Sequence, residues 1–163
     1  VLVTIDAKID EVWELFYNPE DIQNWNFASD DWYCHSVVND FRVGGQLKST
    51  MAAKDQSFSF DFVAHYDRIE KYKLIQYHLD DSREISVTFE EILGKTLLKE
   101  TFDAETENAM EMQKNGWQAI LNNFKKFVEK KTYNPSHNII SNGRNPIRTM
   151  SQIVEKEHCP CAY

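Results

Sequence analysis

Glu100 is the side chain of this sequence best placed to move a proton. It shares strand parity with Leu98 and Phe102, so if those two face an interior, the carboxyl does too. A carboxyl in such surroundings needs a partner or a raised pKa, the condition for general acid–base work. Tyr77 is the second group that could join it in proton transfer. The five histidines (His35, His65, His78, His137 and His158) show no HExxH or Cys/His ligand spacing, so no metal site is expected. Cys159-Pro160-Cys161 has one intervening residue rather than two, with only His158 nearby, and reads as a tail that carries thiols. Asp30-Asp31 and Asp80-Asp81 fall at turns, and Glu90 and Glu91 point to opposite faces of one strand, so none makes a carboxylate dyad. There is no G-x-S-x-G elbow, and Gly44-Gly45 is followed by neither a phosphate-loop lysine nor a helix. No catalytic residue is therefore assigned, and no cofactor is expected.

The aromatic residues are the stronger signal. Together with Trp13, which reads as plain packing, Trp25, Phe27, Trp32, Phe60, Phe62, Tyr77 and Trp117 exceed what a small core requires, and the latter seven are candidates for ligand contact. With Met51, Glu100 and Leu121 they form the candidate ligand-binding set. Aromatic walls carrying few polar groups suit a hydrophobic or planar small molecule.

Elements must position these groups. Val1–Ile5 is a short strand rather than a signal peptide. Asp6 or Asp10 can cap a helix through about Phe16, with Ile9, Val12, Trp13 and Phe16 at helical spacing. Asn18-Pro19 breaks it and opens a second short helix ending near Trp25. From Trp32 to Asp103 the period is two, most clearly in Phe58, Phe60, Phe62, Ala64 and Tyr66. Strands so closely spaced, with no helices between them, demand an antiparallel meander, and Leu93-Gly94 is one hairpin turn. Helical spacing returns over Glu107–Lys131, where Gly116, Trp117, Ile120, Leu121, Phe124 and Val128 share a stripe. Gly116 inside that helix is expected to allow a close approach to the sheet, and Gly44-Gly45 to form a sharp turn with positive φ. The expected division is a domain over 1–131 and an extension over 132–163 with little regular structure beyond a short helix at Met150–Glu157.

Composition bounds the partners. The 163 residues make one domain, or one domain and an appendage, and 42% are hydrophobic. A net charge of −8 argues against a nucleic-acid groove or an anionic membrane surface. No apolar run approaches the roughly 20 residues of a membrane-spanning helix. Three cysteines make no disulfide framework, and a reducing cytoplasm is the expected location.

Five pieces in order carry a family resemblance: Val12-Trp13, Asn18-Pro19, Trp25, the run Asp40-Phe41-Arg42-Val43-Gly44-Gly45 before a strand reaching Met51, and Asn115-Gly116-Trp117 followed by Leu121. Over Val1 to about Lys131 the chain resembles the family of homologues of the activator of heat-shock protein 90 ATPase, within the START-like (SRPBCC, Bet v 1-like) superfamily. The resemblance implies an α+β helix-grip fold, an antiparallel sheet curved around a long last helix. It also implies a hydrophobic ligand cavity between the two, as similar superfamily members have. The leading expectation is a non-enzymatic, stress-associated domain, monomer or homodimer, that binds a hydrophobic small molecule. The alternatives are a co-chaperone-like module acting on a chaperone ATPase, and a cyclase- or dehydratase-like enzyme using cavity acids.

Overall fold

The computed structural model describes residues 1–133. The extension expected past the last helix, with its short helix and Cys159-Pro160-Cys161, lies outside the described residues from Asn134 on. The chain runs β1 (Leu2–Ile5), α1 (Ile9–Tyr17), α2 (Pro19–Ile22), β2 (Trp32–Asn39), β3 (Gln46–Ala53), β4 (Ser59–Glu70), β5 (Leu74–Leu79), β6 (Glu84–Ile92), β7 (Lys95–Phe102) and α3 (Met110–Thr132). All seven strands form one antiparallel sheet in the order β1-β7-β6-β5-β4-β3-β2. The sheet curls, and α3 lies in its concave face, so the fold is the helix grip.

Local chemistry explains the joints. The cap of α1 is neither Asp6 nor Asp10: Lys8 holds the cap position, and its amide donates to the Glu11 carboxylate at 3.3 Å. Asn18 caps α2 by accepting from the Glu20 amide at 3.1 Å, with Pro19 at the first helical position. That helix stops at Ile22, and the chain reaches Trp25 through turns. Leu93 and Gly94 both have positive φ (52° and 76°), the backbone of a tight two-residue hairpin. A bulge between Tyr66 and Arg68 lets β4 continue to Glu70, beyond the alternation that marks its first half.

Helix α3 begins three residues later than its periodicity suggests. The Glu105 carboxylate accepts from the amides of Glu107 and Asn108 and holds that stretch as a turn. Gln113 then clamps the turn to the helix, accepting from the Glu105 amide and donating to the carbonyls of Glu105 and Asn108. At the other end of α3, buried Asp21 pairs with Lys131 and ties the helix to α2. The core fills the space between these anchors: Ile5, Val12, Ile75, Val87, Leu98, Leu121, Phe124 and Val128 are all almost fully buried. Trp13 belongs to it, edge-on to Tyr17, Phe41, Tyr72 and Phe89.

Candidate functional site

Strand alternation turns the even-numbered residues of β7 inward, so Thr96, Leu98 and Glu100 are buried while Lys95, Lys99 and Thr101 are exposed. The inward side chains stop short of α3 and leave a cavity of about 370 Å³. Of the candidate set, Trp25, Met51, Phe60, Phe62, Tyr77, Glu100, Trp117 and Leu121 line it. Phe27 and Trp32 do not. Phe27 sits in the loop whose carbonyl accepts from Asn123 at 2.6 Å, and Trp32 packs edge-on to Phe58 and Phe60.

The walls form a continuous aromatic path. Trp117 stacks on Phe102 (centroids 4.5 Å apart) and meets Phe62 edge-on at 6.3 Å. Phe62 in turn abuts Tyr77, and Tyr77 abuts Tyr66. On the far side Trp25 stacks on Phe16 and donates its indole N–H to the Leu15 carbonyl at 3.2 Å, which orients the ring. Gly116 faces this space. A Cβ built there meets nothing within 4 Å, so the glycine opens the cavity beside Trp117 instead of permitting a close helix–sheet approach. Gly45 shows the close approach, since a Cβ there would lie 2.0 Å from the Asp40 carbonyl oxygen, and Gly44 has φ +79°.

Two polar groups lie deep in this apolar space. Tyr77 Oη donates to Glu100 Oε1 at 3.2 Å across the intervening β6. Burial pushes the Glu100 carboxyl up to about 7, against the pull of the Tyr77 hydrogen bond, which favours the charged form. Burial, followed by the neighbouring Glu100 charge, holds the Tyr77 hydroxyl well above its ordinary range. Besides the Tyr66 hydroxyl, which donates to Asn39, the other polar lining groups are Asn26 from the turn after α2, and Arg83, Glu105, Asn108 and Gln113 from the β5–β6 turn and the start of α3. The last four are partly exposed, so this end of the lining meets solvent. Gln113 falls at helical spacing with Gly116 and Trp117, whereas Arg83, Glu105 and Asn108 are invisible to periodicity because loops have none. Only the clustering of polar residues before Met110 hints at them.

Cys34 is buried and its thiol is pushed up to about 11 by burial, which makes it a poor nucleophile. His65 and His78 pair across β4 and β5 on the outer face, each against its own aspartate, Asp80 and Asp67. Among the described residues no three His, Cys, Asp or Glu side chains converge to hold a metal ion. No described helix is long and apolar enough to cross a membrane.

A curled antiparallel sheet gripping a long helix over an aromatic cavity defines a START-like domain. The family model for activator of Hsp90 ATPase homolog 1-like proteins matches residues 6–129, and the chain belongs to that family. An AHSA1-like protein from Aeromonas hydrophila, solved in solution, is 40% identical with a TM-score of 0.74, covering 80% of this chain and 92% of that one. A protein from Cytophaga hutchinsonii is 41% identical with a TM-score of 0.71, over 80% of this chain and 91% of that one. The fold alone is shared with a protein from Chromobacterium violaceum at 21% identity, TM-score 0.69, over 79% and 96% of the two chains. No curated protein sequence matches the chain.

Proposed function

We propose that this domain binds a hydrophobic small molecule between the sheet and α3. The observation that carries the reading is the cavity itself, about 370 Å³ lined mainly by aromatic and aliphatic side chains. A volume of that size falls in the range of small-ligand sites and is far larger than a packing defect. Its aromatic faces favour a flat ligand, which can stack on one ring and meet another edge-on.

The test is titration of the full chain with N-phenyl-1-naphthylamine, a neutral apolar probe whose emission rises in dry surroundings. We expect saturable binding at tens of micromolar. Filling the cavity by Met51→Trp or, from the helix side, Gly116→Leu should weaken it at least tenfold. Binding that is absent, or unchanged in both variants, would refute the proposal.

A second reading follows from the family description, which names an activator of a chaperone ATPase. Stimulation of such an ATPase by the domain, undiminished in the two cavity-filling variants, would favour it. The Tyr77–Glu100 contact also has the composition of a proton-transfer pair, and turnover of a captured ligand, abolished in Glu100→Gln, would mark an enzyme.

A further inference from the structure

A purely greasy carrier would have no use for a carboxyl deep in its cavity. Glu100 is 5% exposed, and the Tyr77 hydroxyl is the hydrogen-bond partner of its side chain among the described residues. A carboxylate offers about four acceptor positions, so one hydrogen bond leaves most of its capacity unused. A buried acceptor in that condition is costly unless something else donates to it.

We infer that the cavity selects an aromatic ligand whose polar end is a hydrogen-bond donor, a hydroxyl or an amine, seated on the Glu100 carboxyl, and that it rejects carboxylate amphiphiles. This rests on the ligand-binding reading above and sharpens it to a chemical class.

The charge arrangement supports both halves. The lining holds two carboxyl groups, Glu100 within and Glu105 at the solvent end. Its single cationic side chain among the described residues is Arg83, already engaged by Asp81 at 2.8 Å. The Val1 ammonium, whose charge also reaches the Glu100 carboxyl, lies outside the lining and donates to the Glu100 backbone carbonyl at 2.9 Å. An incoming carboxylate therefore finds no free cation and meets Glu100 in a medium where like charges repel strongly. A hydroxyl or amine finds an acceptor in place of the water it leaves. Phe62 and Trp117, edge-on to each other, flank the apolar body. The raised pKa of the carboxyl fits its burial behind these walls.

Three probes with one ring system separate the possibilities: naphthalene, 2-naphthol and 2-naphthoate, titrated into the full chain by calorimetry at pH 8. In a merely apolar cavity the hydroxyl weakens binding, because it must leave water without replacement. With Glu100 as acceptor the order reverses, and 2-naphthol should bind at least tenfold tighter than both naphthalene and 2-naphthoate, the size of a hydrogen bond to a charged group. Glu100→Gln should raise the affinity for 2-naphthoate relative to 2-naphthol about tenfold. If naphthalene binds as tightly as 2-naphthol, or 2-naphthoate matches it, the donor-selective site is overturned while the ligand-binding reading stands. If none of the three binds, both fall. The wild-type series decides the matter even if the variant does not fold.

Discussion

Glu100 turns one buried proton into a measurable property of the whole fold. Its folded pKa of about 7 stands above the ordinary value of 4.5. Between those values the folded state keeps a proton that the unfolded chain releases, so rising pH favours unfolding. The contribution is present in full below pH 4.5 and is lost as pH rises through about 7. Its total is about 3 kcal/mol at 1.36 kcal/mol per pH unit. Tyr77, which faces it from β5, stays protonated throughout because burial raises its pKa. Urea unfolding of wild type and Glu100→Gln at pH 5 and pH 8.5 should show wild type losing about that much more stability across the interval. Parallel behaviour of the two proteins would mean that Glu100 is not buried as a proton-holding acid.

Two glycines make opposite demands on the elements that contain them. Gly45 lies between β2 and β3 where the backbone doubles back against Asp40, and the 2.0 Å separation leaves no room for a methyl group. Gly45→Ala must therefore push the loop open and should destabilise by roughly 2 kcal/mol or more, within the range of single changes that force backbone strain. Gly116 sits in the second turn of α3 with empty space beside it. Gly116→Ala should stabilise the domain by up to about 1 kcal/mol, the helix-propensity difference between the two residues. A helical glycine that stability alone would replace is consistent with a cavity that needs the volume. Chemical denaturation of the two variants checks both signs, and a destabilising Gly116→Ala would show that the helix is packed there after all.

For the molecule as a whole, an occupied cavity is a linkage problem. A ligand that binds only the folded state at one hundred times its dissociation constant adds about 2.7 kcal/mol of stability. Saturation with 2-naphthol should accordingly raise the urea midpoint of wild type and raise it much less in Met51→Trp. An equal rise in both would place the probe elsewhere on the surface.

Periodicity alone determined the order of elements, because side chains alternate in a strand and recur every 3.6 residues in a helix wherever one face is buried. It also tied Glu100 to the face of Leu98, since parity is a local property of β7, and the structure shows that face to be the buried one. Helix boundaries were less legible. Side-chain bonds from Glu105 and Gln113, rather than the apolar stripe, decide where α3 starts. Parity says nothing of how a sheet curves, so tertiary structure alone decided which inward residues meet. Tyr77 and Glu100 lie on strands separated by β6, roughly 10 Å apart in a flat sheet at 4.8 Å per strand. They touch because the curl tips both side chains toward α3. Trp32, on the edge strand β2, packs against Phe58 and Phe60 without reaching the lining, while Arg83 joins the lining beside the start of α3. Which residues point inward follows from the neighbouring bonds along the chain. Which of them share a cavity depends on the accumulated twist of seven strands, a sum over contacts far apart in sequence.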